Sequence, residues 1–230
     1  MTICNGDCGC KTQEPYVDGL DAVWRDPMEY DMQKHGPPYL PVTATQREDA
    51  RQFVKRQAAF YDTAPSWSDP HKALSQLLAF QRALYMVHQT AHWQTRGGHY
   101  YSDHTLFQRI YEESLEGIDG TAERVIGLTS DPSYVSVTEQ AGLIHQIIKL
   151  AYQGTSEAAP DPETLVQISL AGEVSFLSAL AKAKEVMEDS NVLTEGLDDL
   201  LQGLASKHEE FVYLLRQRAS VADYSYDRQG

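Results

Sequence analysis

Apolar residues recur along most of this 230-residue chain at three- and four-residue intervals, the rhythm of helices with one buried face. Leu74, Leu77, Leu78, Leu84 and Val87 mark a first long helix running to about Thr95. Asp69 is placed to cap it, and Pro70 fits its first turn, where a missing N–H breaks no helical bond. Leu106, Phe107, Ile110, Tyr111, Leu115, Ile118, Ala122, Val125 and Ile126 predict a second long helix over Ser102 to Leu128, ending near Thr129 before Asp131-Pro132. Asp161-Pro162 opens a third, carried by Leu165, Ile168, Val174, Phe176, Leu177 and Leu180 to about Glu188. After a turn at Asp189-Ser190-Asn191, a fourth runs from about Leu193 to Ala219, striped by Leu197, Leu200, Leu201, Leu204, Phe211, Val212, Leu214 and Leu215. The short link makes these last two helices antiparallel neighbours.

Between the second and third helices lies a crossover of roughly thirty residues, long enough to reach the far end of a bundle. Leu143, Ile144, Ile147, Ile148 and Leu150 predict a further helix within it, over 138–153. No alternation strong enough for a sheet is present. The chain is therefore expected to be all-α: a four-helix bundle with a long crossover carrying an extra helix, preceded by an N-terminal extension. In that extension Pro15, Pro27 and the HGPPYLP segment block regular helix, while Tyr16, Trp24, Tyr30 and Tyr39 offer apolar anchors. A short helix is expected over 45–61, opened by the capping box Thr45 and Glu48. The expected division is an extension over 1–68, the bundle over 69–220 and a tail over 221–230.

Composition narrows the chemistry. At 42% hydrophobic the chain can bury a sizeable core as one domain with an extension. Its net charge of −14 argues against holding nucleic acid on a general basic surface and suits cations better. Residues 1–44 carry seven acids against three bases, so DNA binding through that segment is not expected. Neither a leader pattern nor an uninterrupted apolar run of membrane-spanning length is apparent, which gives the expectation of a soluble, cytoplasmic protein. The three cysteines, Cys4, Cys8 and Cys10, lie too close to the start to staple the core. They form either a thiolate metal clip, completed by His35 or another subunit, or a polar tail that happens to contain thiols. Glu185, Glu188, Asp189, Asp198 and Asp199 near the last turn read as a solvated loop or as the lining of an inlet pore.

The most informative residues are His92, His104, Asp119 and Glu123, two imidazoles and two carboxylates. His104 and Asp119 are 15 residues apart, which on one helix is ~22 Å along the axis but only ~60° in azimuth. One metal ion cannot span that length. Two copies of the helix, packed antiparallel about a two-fold axis, would bring His104 of one against Asp119 and Glu123 of the other and form the site twice. His92 lies 12 residues before His104, with Gly97-Gly98 between them to let the chain reverse. Glu116, one turn before Asp119, is a candidate to pre-bind or relay a cation. The competing reading is a solvated or salt-bridged helix face, with Arg109 and Arg124 as partners. His71, His145 and His208 read as polar surface or satisfied core imidazoles, and His88 as either a further ligand or a hydrogen-bonded support.

The run AHW at 91–93, the glycine pair ahead of aromatic residues 100 and 101, His104, and IDGTAER at 118–124 together resemble the signature of the Dps family of ferritin-like mini-cages. The helix order extends the resemblance over about residues 70–220, with specific motifs only in the first hairpin. It implies a ferritin-like bundle assembled as a homododecamer. It also implies ferroxidase activity that stores iron and protects against oxidative stress, with hydrogen peroxide or dioxygen as oxidant. Residue by residue, His92 and His104 match the family's ferroxidase histidines, Asp119 and Glu123 the carboxylates of the two-fold mate, and Trp93 the tryptophan beside the site. Where many members carry a further acid one turn after the second histidine, this chain has Gln108, which puts a second metal position in question. The crossover and the extension are also longer than usual. The alternatives are a non-catalytic shell protein whose sites are vestigial or hold zinc and, less favoured on charge, a DNA-condensing protein. No Glu is followed by His three residues later, the pair that in-subunit di-iron bundles use.

Overall fold

The computed structural model describes residues 68–153 and 159–219. The cysteine cluster, the 45–61 helix with its capping box, and the expected extension and tail fall almost wholly outside the described residues. Among the described residues six α-helices follow one another: α1 Pro70–Gln94, α2 Tyr100–Glu113, α3 Leu115–Thr129, α4 Val137–Ala151, α5 Pro162–Asp189 and α6 Glu195–Ala219. There is no strand among the described residues. α1, the α2/α3 rod, α5 and α6 form the four-helix bundle. α1 packs on α2, α3 and α5, α5 packs on α6, α3 reaches α6, and the crossover helix α4 lies along α1.

Local chemistry sets the boundaries where the sequence placed them. Asp69 accepts from the backbone N–H groups of His71 and Lys72 at 3.0 and 3.4 Å, and Asp161 from those of Glu163 and Thr164 at 3.0 and 3.1 Å, each just ahead of a proline. Ser130, at φ 52°, ends α3, and Asn191, at φ 58°, turns the chain between α5 and α6.

The second helix differs from its expectation. It is interrupted at Ser114, whose hydroxyl turns back to donate to the Tyr111 carbonyl at 2.8 Å. The interruption is a hitch in a rod: Ser114 N–H still reaches the Ile110 carbonyl at 3.2 Å, and Ile118 N–H the Ser114 carbonyl at 3.1 Å. At Gly117 an added Cβ would sit 2.8 Å from a terminal methyl of Leu204 on α6, which would have to shift.

The core runs the length of the bundle. One group joins Leu74, Phe80, Leu84, Phe176, Met187, Leu197 and Leu201, and a second joins Phe107, Ile110, Leu165, Leu170, Phe211 and Leu215. α5 is long and apolar enough to cross a membrane, but 72% of its most apolar window is buried inside the bundle, which explains its composition. The crossover is held by Gln140, whose buried amide donates to the Ser75 carbonyl and hydroxyl and to the Tyr134 carbonyl at 3.0–3.3 Å.

Candidate metal site and its relatives

Glycine builds the turn that creates the site. Gly97 sits at φ 80°, a conformation that a Cβ disfavours, and the reversal lays the first turn of α2 beside the last turn of α1. His92 and His104 meet there, their rings stacked with centroids 3.7 Å apart and planes 23° from parallel. Each ring holds the other residue's backbone: His92 Nδ1 lies 2.8 Å from the His104 carbonyl oxygen, and His104 Nδ1 lies 3.1 Å from that of His92. A carbonyl oxygen can only accept, so each Nδ1 carries a proton. In the neutral imidazoles both Nε2 atoms are thereby left with a lone pair, the tautomer a metal ligand requires. Tyr100 stacks on His104 with centroids 5.0 Å apart, and Tyr111 meets His92 edge-on at 5.4 Å. His92 is buried and His104 half-buried.

Asp119, Glu123 and Glu116 all lie exposed on α3, and none has an ion-pair or hydrogen-bond partner among the described residues. A helical rod separates them from the histidine pair, so a single protomer does not bring the four residues together. The arginines considered as neutralising partners are engaged elsewhere. Arg109 pairs with Glu113 at 2.8 Å and also with Glu210, and Arg124 reaches the Gly196 carbonyl at 3.4 Å. Gln108 donates to Glu112 at 2.9 Å. Around the hairpin Trp93 is 67% exposed and Tyr101 81%, and Leu115 on α3 is also uncovered. At the α5–α6 turn Asp198 pairs with Lys184 and Glu185 with Lys182, which favours the solvated-loop reading of that acidic group. Among the described residues no three His, Cys, Asp or Glu side chains of one protomer are grouped to hold a metal.

One polar cluster was legible only in part: the sequence offered His208 as a satisfied core imidazole and His88 as a hydrogen-bonded support, but not the carboxylate between them. Glu173, fully buried on α5, accepts from His88 Nε2 on α1 at 2.7 Å and from His208 Nδ1 on α6 at 2.5 Å. His88 stacks on Phe107, and His208 lies against Phe176 and Phe211. Burial alone would push the Glu173 carboxyl up. The charge and hydrogen bond of His208, followed by those of His88, overcome that and hold it down at about 2. The available signal was Glu173 itself, a charged residue at a buried phase of the apolar run LAGEVSFL.

No family model matches the chain. DNA protection during starvation protein 2 of Bacillus anthracis is 26% identical over 145 residues, which are 63% of this chain and 92% of that protein. Among solved structures, an archaeal Dps homologue from Halobacterium salinarum superposes with a TM-score of 0.54 at 18% identity, over 86% of this chain and 98% of that one. The Dps protein of Vibrio cholerae O1, described as a member of a broad superfamily of ferritin-like diiron-carboxylate proteins, gives 0.52 at 19% identity, over 79% and 99%. Fold and helix order thus define an all-α protein of the ferritin-like class. Within that class, the hairpin motifs and the curated relative, at 26% identity, support a likeness to the Dps family.

Proposed function

We propose that this protein is an iron-sequestering ferroxidase, whose sites form between two copies of the chain in a closed homo-oligomer, a dodecamer by analogy with the family. The observation that carries the reading is the His92–His104 pair, with both Nδ1 protons given to carbonyls and both Nε2 atoms left as donors. In this reading the substrate Fe(II) is held by those nitrogens together with Asp119 and Glu123 of a second copy, packed antiparallel about a two-fold axis. Glu116, exposed one turn away, would pre-bind the cation. Peroxide takes one electron from each of two Fe(II) ions as its O–O bond breaks to leave two hydroxide ions, and the Fe(III) formed moves on to storage. Dioxygen is the other oxidant the family uses. The free carboxylates and the exposed apolar groups near the hairpin support a covered face with acids available to a cation.

A second reading is a shell protein of the same fold that holds zinc or no metal. The bond from Gln108 to Glu112 favours it, since that position adds no acid to the site. Anaerobic Fe(II) titration followed by peroxide separates the two. Rapid loss of Fe(II) that disappears in His104→Ala and Glu123→Ala supports the ferroxidase, whereas equal rates in wild type and both variants refute it.

A further inference from the structure

The turn of α2 that carries His104 lacks the usual local fixings. The helix follows Gly97-Gly98, and its cap residue, His99, makes no side-chain hydrogen bond to the first turn. Ser102 and Thr105 donate only to carbonyls of the same stretch, those of His99 and Tyr101. Beyond the crossed bonds between His92 and His104, the tie to the bundle comes from Asp103, the residue next to His104. Asp103 is 0% exposed, and its two oxygens receive a fork from Arg218 in the last turn of α6, Nε at 2.6 Å and Nη2 at 3.0 Å. The third arm of the guanidinium, Nη1, reaches Glu163 in the first turn of α5 at 3.0 Å. One arginine thus joins three helix ends. Each charge also suits its place, an acid at a helix start and a cation at a helix end.

We infer that Asp103 and Arg218 are positioning residues for the metal ligands of the site proposed above, an inference that rests on that reading. The connection is short. Arg218 fixes the Asp103 carboxylate, and with it the adjoining His104 backbone; the His104 carbonyl receives the His92 Nδ1 proton, and that bond aims His92 Nε2. A planar fork can fix orientation in a way an ammonium cannot, so lysine at 218 keeps the charge but not the alignment.

The test uses the full-length protein with its cysteines alkylated and Co(II) as the probe, followed by the visible ligand-field spectrum. The signal of interest is the part that His104→Ala removes. Asp103→Asn and Arg218→Lys are expected to weaken that part of the Co(II) binding by about tenfold or more and to alter its spectrum, the scale usual for outer partners of metal ligands. The double variant is expected to be no worse than the poorer single one, since both break one contact. Urea denaturation of the same variants isolates plain structural loss. Variants that are less stable yet bind Co(II) with wild-type affinity and spectrum overturn the inference while leaving the histidine pair intact. Wild type without any His104-dependent signal removes the ligand reading and this inference with it.

Discussion

Replacing Glu173 with glutamine keeps the shape of the buried His88–Glu173–His208 cluster but removes its charge. In the folded protein this carboxyl titrates at about 2, against 4.5 when exposed. A difference of that size corresponds to about 3 kcal/mol of folding stability, from ~1.4 kcal/mol per pH unit. The side chain is wholly buried, so solvent does not dilute the effect. The sign follows from the depressed value. The stabilisation is complete above pH 4.5 and is lost as pH falls from 4.5 through 2, because the unfolded chain then takes up the proton first. Urea denaturation of wild type and Glu173→Gln, at one protein concentration and at several pH values, gives the gap directly, and the other carboxylates cancel in the difference. We expect a gap of about 3 kcal/mol at neutral pH that closes steadily below pH 4.5. A gap that stays constant from pH 5 to pH 2.5 would mean that Glu173 is held by packing rather than by its charge.

Two further outcomes are expected. Gln140→Leu removes the amide bonds to the Ser75 carbonyl and hydroxyl and leaves the Tyr134 carbonyl only the Ser75 hydroxyl at 2.6 Å, so it should cost about 1–3 kcal/mol and speed hydrogen exchange in α4 more than in α6; uniform exchange would show that the crossover is not separately fastened. The net charge of −14 predicts that DNA is not retained in a low-salt gel shift at micromolar protein, and a retarded band would overturn that reading.

What the sequence revealed, and what it hid, follows the range of the interactions. Asp69-Pro70 and Asp161-Pro162 announced their helices because capping is settled within three residues. The meeting of His92 and His104 was legible for a similar reason, since twelve residues with a glycine reversal between them leave few arrangements. The break at Ser114 was not legible. It depends on a hydroxyl choosing the Tyr111 carbonyl, beside a stretch of α3 that α6 approaches closely, and apolar spacing records neither. The Glu173 cluster joins residues 85 and 35 positions apart, so no local motif announces it. Arg124 stood beside Glu123 and Arg109 two turns before Glu116, yet Arg124 turned to the Gly196 carbonyl on α6 and Arg109 to Glu113 and to Glu210 on α6, a choice made by packing.

The crossed hydrogen bonds between His92 and His104 close a ring of chain across the hairpin. Surface connections ordinarily tolerate gained or lost residues. Here one residue inserted after Gly98 and absorbed into α2 would swing His104 by ~100° and break both bonds together. The loop is exposed, yet its length is constrained: apart from Gly97, whose φ of 80° disfavours a Cβ, point changes are tolerated more readily there than insertions that the helix absorbs.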